Sequence, residues 1–132
     1  MLIKESLALA GDPAVVWRRV SDLASFPSYW HGTRALEILD SRGPETRARF
    51  TFAFGGKGMA SITARESERT LSIEFTSGPF LGTQLISVSD RAVSAVWDIR
   101  FRGAYRLLSK WNEGHFRSGT RNALLRLTAS SE

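Results

Sequence analysis

The sequence predicts an α+β fold in which a curved antiparallel sheet closes around a long carboxy-terminal helix and leaves an apolar pocket between them. Three observations predict it. From Thr33 to Phe101 apolar and polar residues alternate in short runs separated by turns, the period of half-buried strands. A helix-start signal, Asp12-Pro13, sits between an amino-terminal strand and that region. From about Ala104 to Thr128 the apolar spacing becomes helical.

The elements follow in order. Leu2 to Leu9 alternates as a strand, and a helix runs from Pro13 to about Leu23 with Val16, Trp17, Val20 and Leu23 apolar. Ser25 to His31, carrying Phe26, Pro27, Tyr29 and Trp30, reads as a helical turn and a loop. Strands are then expected at 33–41, 46–54, 59–66, 70–76, 82–89 and 92–101. Arg42-Gly43-Pro44-Glu45, Gly55-Gly56-Lys57-Gly58, Ser77-Gly78-Pro79-Phe80 and Asp90-Arg91 punctuate them. An antiparallel meander with bulky residues on one face must cover that face, and the terminal helix is the element available to do so. No repeat or linker interrupts the chain, so 1–132 is expected to be one ligand-binding domain.

Composition narrows the function. The 132 residues are 42% hydrophobic and 23% charged, an ordinary globular balance. There is no cysteine, which removes disulfides and thiolate metal sites and fits a reducing compartment. Met1-Leu2-Ile3-Lys4-Glu5 becomes charged too early for a signal peptide, and no run nears the roughly 18 apolar residues of a membrane span. The expected location is the cytoplasm. The net charge of +5 is spread from Lys4 to Arg126 without a basic block, so nucleic acid is not an expected partner.

The stretch Pro13-Ala14-Val15-Val16-Trp17 leading to Val20-Ser21-Asp22-Leu23-Ala24-Ser25-Phe26-Pro27, with Tyr29-Trp30 after it, resembles the first helix and the following "sD...yP.W" segment of the SRPBCC superfamily. Glu74-Phe75 before Ser77-Gly78-Pro79-Phe80, and Asn122 to Leu127 near the end, echo the same family. The resemblance covers essentially the whole chain. It is nearest in style to the polyketide cyclase/dehydrase and coenzyme Q-binding branches of these START-like, Bet v 1-like proteins. It implies the helix-grip fold, ordered β-α-α-β6-α, and a small hydrophobic ligand (a lipid, quinone or polyketide-like molecule) in an internal cavity. The chain is shorter than START domains, only partly carries the coenzyme Q-branch motif around Phe26-Pro27, and lacks the cysteine and histidine pairs of Rieske-type members.

Candidate site residues follow from the inward faces. Phe50, Phe52, Phe54, Phe75 and Trp97 make an aromatic stripe on the sheet, and Trp30 stands in the loop at one rim. On the terminal helix Tyr105, Leu108, Phe116, Ala123 and Leu127 share an apolar arc into which Asn112, His115 and Gly119 fall. Polar groups there need partners, and a ligand carbonyl or hydroxyl is one candidate. The alternatives are bonds to neighbours or water, or a helix rotated to expose them. Gly114 and Gly119 suggest a bend or break in that helix, or a thinned wall that enlarges the chamber. Asp98 and Arg100, opposite Trp97, suggest an outer-face ion pair.

Binding without catalysis is the leading expectation, with no cofactor. The second is a cyclase/dehydrase-type enzyme in which His115 or His31 moves protons and Asn112 or Tyr105 orients a carbonyl. The third is an interaction module using Arg106, Lys110, Arg117 and Arg121 on the outer helix face. No P-loop, nucleophile elbow or metal-ligand spacing is present. Oligomeric state stays open, a homodimer included.

Overall fold

The computed structural model describes residues 1–129, except the side chains of residues 108–111. The order is β1 (Leu2–Ala8), α1 (Pro13–Ser21), α2 (Phe26–Tyr29), β2 (Thr33–Arg42), β3 (Glu45–Phe52), β4 (Lys57–Arg65), β5 (Thr70–Phe75), β6 (Phe80–Val88), β7 (Ala92–Phe101) and α3 (Ser109–Thr128). This is the expected helix-grip arrangement.

The strands form one antiparallel sheet in the order β1-β7-β6-β5-β4-β3-β2. β2 to β7 follow as a meander, and β1 joins the far edge by pairing with β7, Leu2 facing Asp98 and Ala8 facing Ala92. Register shifts in β2, between Thr33 and Ala35 and between Ile38 and Asp40, bend that edge. Gly82 has φ of +132°, and a Cβ there would strike the Asp98 carbonyl oxygen and lie 2.8 Å from the Ile99 Cα. Only glycine lets β6 and β7 approach so closely at this point.

Local chemistry explains the helices. The Asp12 side chain accepts from the Ala14 amide at 2.9 Å, and Pro13 opens α1 without wasting a donor. Val16, Trp17 and Val20 bury one face, while the Trp17 indole N–H donates to Glu66 Oε2 at 2.9 Å and ties α1 to the β4–β5 turn. A single 3-10 turn, Leu23–Ser25, leads into α2. Phe26, Tyr29 and Trp30 there are all buried.

The inner sheet face carries Ala48, Phe50, Phe52, Ile62, Leu71, Ile73, Phe75, Phe80, Ile86, Val93, Ala95, Trp97, Ile99 and Phe101, all buried. Against them α3 lays Thr120, Ala123, Leu124 and Leu127. Arg19 clamps the helix end, its Nη1 donating to the Leu127 and Ala129 carbonyls at 2.8 Å each.

Several local expectations need correction. Phe54 lies in a turn beyond β3, because Gly55 and Gly56 take φ of +99° and +94° and the hairpin tightens earlier. Lys57 and Gly58, expected in the loop, pair with Thr51 and Phe50. The terminal helix starts at Ser109, since Gly103–Leu108 forms a 3-10 segment. It then runs unbroken through Gly114 and Gly119. Among the described residues Asp98 and Arg100 form no ion pair; the outer strand face uses Arg47–Asp40 and Arg49–Glu37 instead.

Candidate functional site: an aromatic hollow beside the terminal helix

A hollow of about 240 Å³ opens where α3 passes the α2–β2 loop and the start of the β3–β4 hairpin. Its apolar wall consists of Trp30, Phe52, Phe54, Phe80, Trp97 and Phe116. The rings pack mostly edge to face: Phe116 lies 5.0 Å from Trp97 and 5.7 Å from Phe80, and Trp30 lies 5.8 Å from Trp97. Trp97 is pinned. Its indole N–H donates to the Thr120 hydroxyl at 2.9 Å, and that hydroxyl donates to the Phe116 carbonyl at 2.6 Å. With both partners buried, this chain fixes the ring as a rigid wall rather than a mobile filler.

Of the residues expected to bind a ligand, Trp30, Phe52, Phe54, Trp97, His115, Phe116 and Gly119 line the hollow, and so does His31. Phe50 and Phe75 do not. They form a layer behind the wall, with Phe50 5.2 Å from Phe75 and Phe75 stacked on Trp97 at 5.9 Å. Asn112 is buried but away from the hollow. The Leu108 side chain lies outside the described residues. His115 is exposed at the rim, and His31 Nε2 donates to the Ser28 carbonyl at 3.1 Å.

The helix is rotated from the expected arc. Asn112, Phe116, Thr120, Ala123, Leu124 and Leu127 face the sheet or sit at its border, whereas His115, Ser118, Gly119, Asn122 and Arg126 turn toward the hollow. The two faces are centred about 120° apart at 3.6 residues per turn. Thr120 decides the setting, because its hydroxyl satisfies Trp97 and its own helix while buried.

Sequence reasoning missed Gly32, Thr33, Ala53, Phe80, Ser118, Asn122 and Arg126, which also line the space. The spacing of 115, 118, 119, 122 and 126 at three and four residues was the signal for the helix members. Arg126 also borders a second depression with Tyr29, its Nη1 donating to the Tyr29 carbonyl at 3.2 Å. Tyr29 itself is buried; its phenol donates to the Val20 carbonyl at 3.4 Å, and burial, then the nearby Asp22 charge, holds its pKa far above the ordinary tyrosine value.

On the outer helix face Arg106 and Arg121 are exposed, and the Lys110 side chain lies outside the described residues. Arg117 lies 3.7 Å from Glu5 and 3.6 Å from Glu113. Among the described residues no three histidine, aspartate or glutamate side chains converge as a metal site would need. No helix among them is long and apolar enough to cross a membrane.

A meander sheet closed by a terminal helix is an arrangement shared with known proteins. The profile of the family described as "Polyketide cyclase / dehydrase and lipid transport" matches residues 3–129. The chain belongs to that family. Solved structures agree on the family's fold. A protein of Thermus thermophilus superposes with a TM-score of 0.82 at 14% identity, over 97% of this chain and 94% of its own. The Zhui aromatase/cyclase of Streptomyces sp. R1128 gives 0.75 at 13%, over 96% and 92%. A START superfamily protein of Mycobacterium smegmatis gives 0.71 at 14%, over 96% and 99%. At such identities the likeness concerns the fold alone. No curated protein is significantly similar in sequence.

Proposed function

We propose that residues 1–132 act as one cytoplasmic binding unit that takes a small, largely apolar ring compound into the hollow without a cofactor. The observation that carries this reading is the six-ring wall around about 240 Å³ of space. A cavity of about 150 Å³ lined by apolar side chains accepts benzene. The hollow here suits one or two rings with short substituents, such as a quinone head or a small polyketide-derived aromatic. It lies just below the roughly 300–1,000 Å³ of sites for drug-sized ligands, so a long acyl chain is disfavoured. Affinity comes from removing ring surface from water, at roughly 25 cal/mol per Å².

The experiment is a tryptophan-fluorescence titration with 2-naphthol, a short-chain benzoquinone and palmitate, alongside mass spectrometry of an organic extract of the purified protein. The ring compounds quench Trp30 and Trp97, and palmitate does not. Failure of all three to bind at millimolar concentration refutes the reading.

A second reading, cyclase/dehydrase-type catalysis, is favoured by one observation: His31 and His115 both line the hollow. Histidine is suited to proton transfer near neutral pH. Loss of turnover of a bound carbonyl substrate in His115→Ala, with binding retained, separates this reading from simple binding.

A further inference from the structure

We propose that the ligand carries an acidic oxygen on its ring body and that Arg126 takes that oxygen at the mouth. The inference rests on the binding reading above and deepens it by naming the ligand class: a one- or two-ring aromatic monoanion, a carboxylate or acidic phenol.

The hollow is chemically lopsided. Its depth is aromatic, and its polar lining (His31, Thr33, His115, Ser118, Asn122 and Arg126) contains no carboxylate. The one permanently charged group there is the Arg126 guanidinium, cationic at any physiological pH. Arg47, Arg49, Arg69 and Arg117 each pair with a carboxylate. Among the described residues Arg126 pairs with none. Its Nη1 is held by the Tyr29 carbonyl at 3.2 Å.

That bond uses one of five N–H donors and ties the guanidinium to the residue before Trp30, itself part of the wall. A held fork with unused donors next to an aromatic wall suits a flat ring bearing a two-oxygen anion, because carboxylate and guanidinium meet through paired hydrogen bonds. Anchoring the arginine beforehand lowers the entropy lost on binding. The last turn of a helix also welcomes a cation for its own sake. That accounts for a basic residue near Thr128 but not for its bond to the carbonyl of Tyr29, the residue before Trp30 of the wall.

The test compares 2-naphthoate with its neutral analogue 2-naphthamide by calorimetry on the full chain at neutral pH and low salt. Native protein is expected to bind naphthoate at least tenfold more tightly than the amide. In Arg126→Gln the naphthoate affinity falls at least tenfold, while naphthamide changes less than twofold and the melting curve confirms folding. In Arg126→Lys, charge without the fork, part of the preference survives. Amide binding with no preference for naphthoate overturns this inference and leaves the binding reading standing. An equal loss of both probes in Arg126→Gln overturns it too. If neither probe binds, both fall together.

Discussion

Gly119 gives the sharpest separation of stability from binding. It lies within α3, half-buried, on the wall of the hollow, and a Cβ placed there meets nothing within 4 Å. Gly114, on the same helix, is exposed, has equally open surroundings and does not line the hollow. Glycine in a helix interior is about 0.8–1.0 kcal/mol worse than alanine. Gly114→Ala and Gly119→Ala should therefore each stabilise the fold by about 1 kcal/mol, roughly 3–5 °C in Tm for a chain of this size. Gly119→Leu keeps most of the helical gain but places four carbons in the hollow. If they displace the equivalent of three ligand methylenes at about 0.8 kcal/mol each, affinity falls by about 2.4 kcal/mol, roughly fiftyfold. Thermal melts and a 2-naphthol titration on the three variants measure both quantities. The reasoning is refuted if Gly119→Ala destabilises the protein, or if Gly119→Leu binds as well as Gly114→Ala.

Three further outcomes follow from buried polar groups. Thr120→Val strands the Trp97 indole N–H, and should lower stability by about 1–3 kcal/mol; chemical denaturation with Trp fluorescence as the probe reads it. The Gln84 amide nitrogen is buried and has no partner among the described residues, so Gln84→Met, similar in shape, should raise the denaturation midpoint by the equivalent of about 1 kcal/mol. Burial raises the Tyr29 pKa in the folded state. The unfolded chain then loses its proton first, and stability contributed below about pH 10, the ordinary tyrosine value, is lost as pH climbs above it. Tyr29→Phe should flatten that alkaline decline, and melts between about pH 9 and 11 would show whether it does.

Much of the fold was legible because the sheet's alternation is strong. Val93, Ala95, Trp97, Ile99 and Phe101 announce β7 and its inner face, and Asp12-Pro13 announces α1. Boundaries set by backbone freedom were less legible: Gly55 and Gly56 close the hairpin early and release Phe54 from its strand. The hollow was half legible. Aromatics on the inner face could be enumerated, but which of them stand in front is decided by tertiary stacking, which puts Phe50 and Phe75 behind Phe52 and Trp97. The rotation of α3 was hidden for a similar reason. A threonine at position 120 looks ordinary on a helical wheel until Trp97 is found to need its hydroxyl.

The pairing of β1 with β7 has a consequence for synthesis. Leu2 finds its partner at Asp98, so β1, once made, waits for about ninety more residues, roughly five to twenty seconds at typical elongation rates. Throughout that interval a short apolar segment has no native neighbour, and the sheet can only grow from its opposite margin. Late capture of the leading end should make refolding slow for a chain of this length. It also leaves nascent protein as a client for chaperones until the last strand arrives.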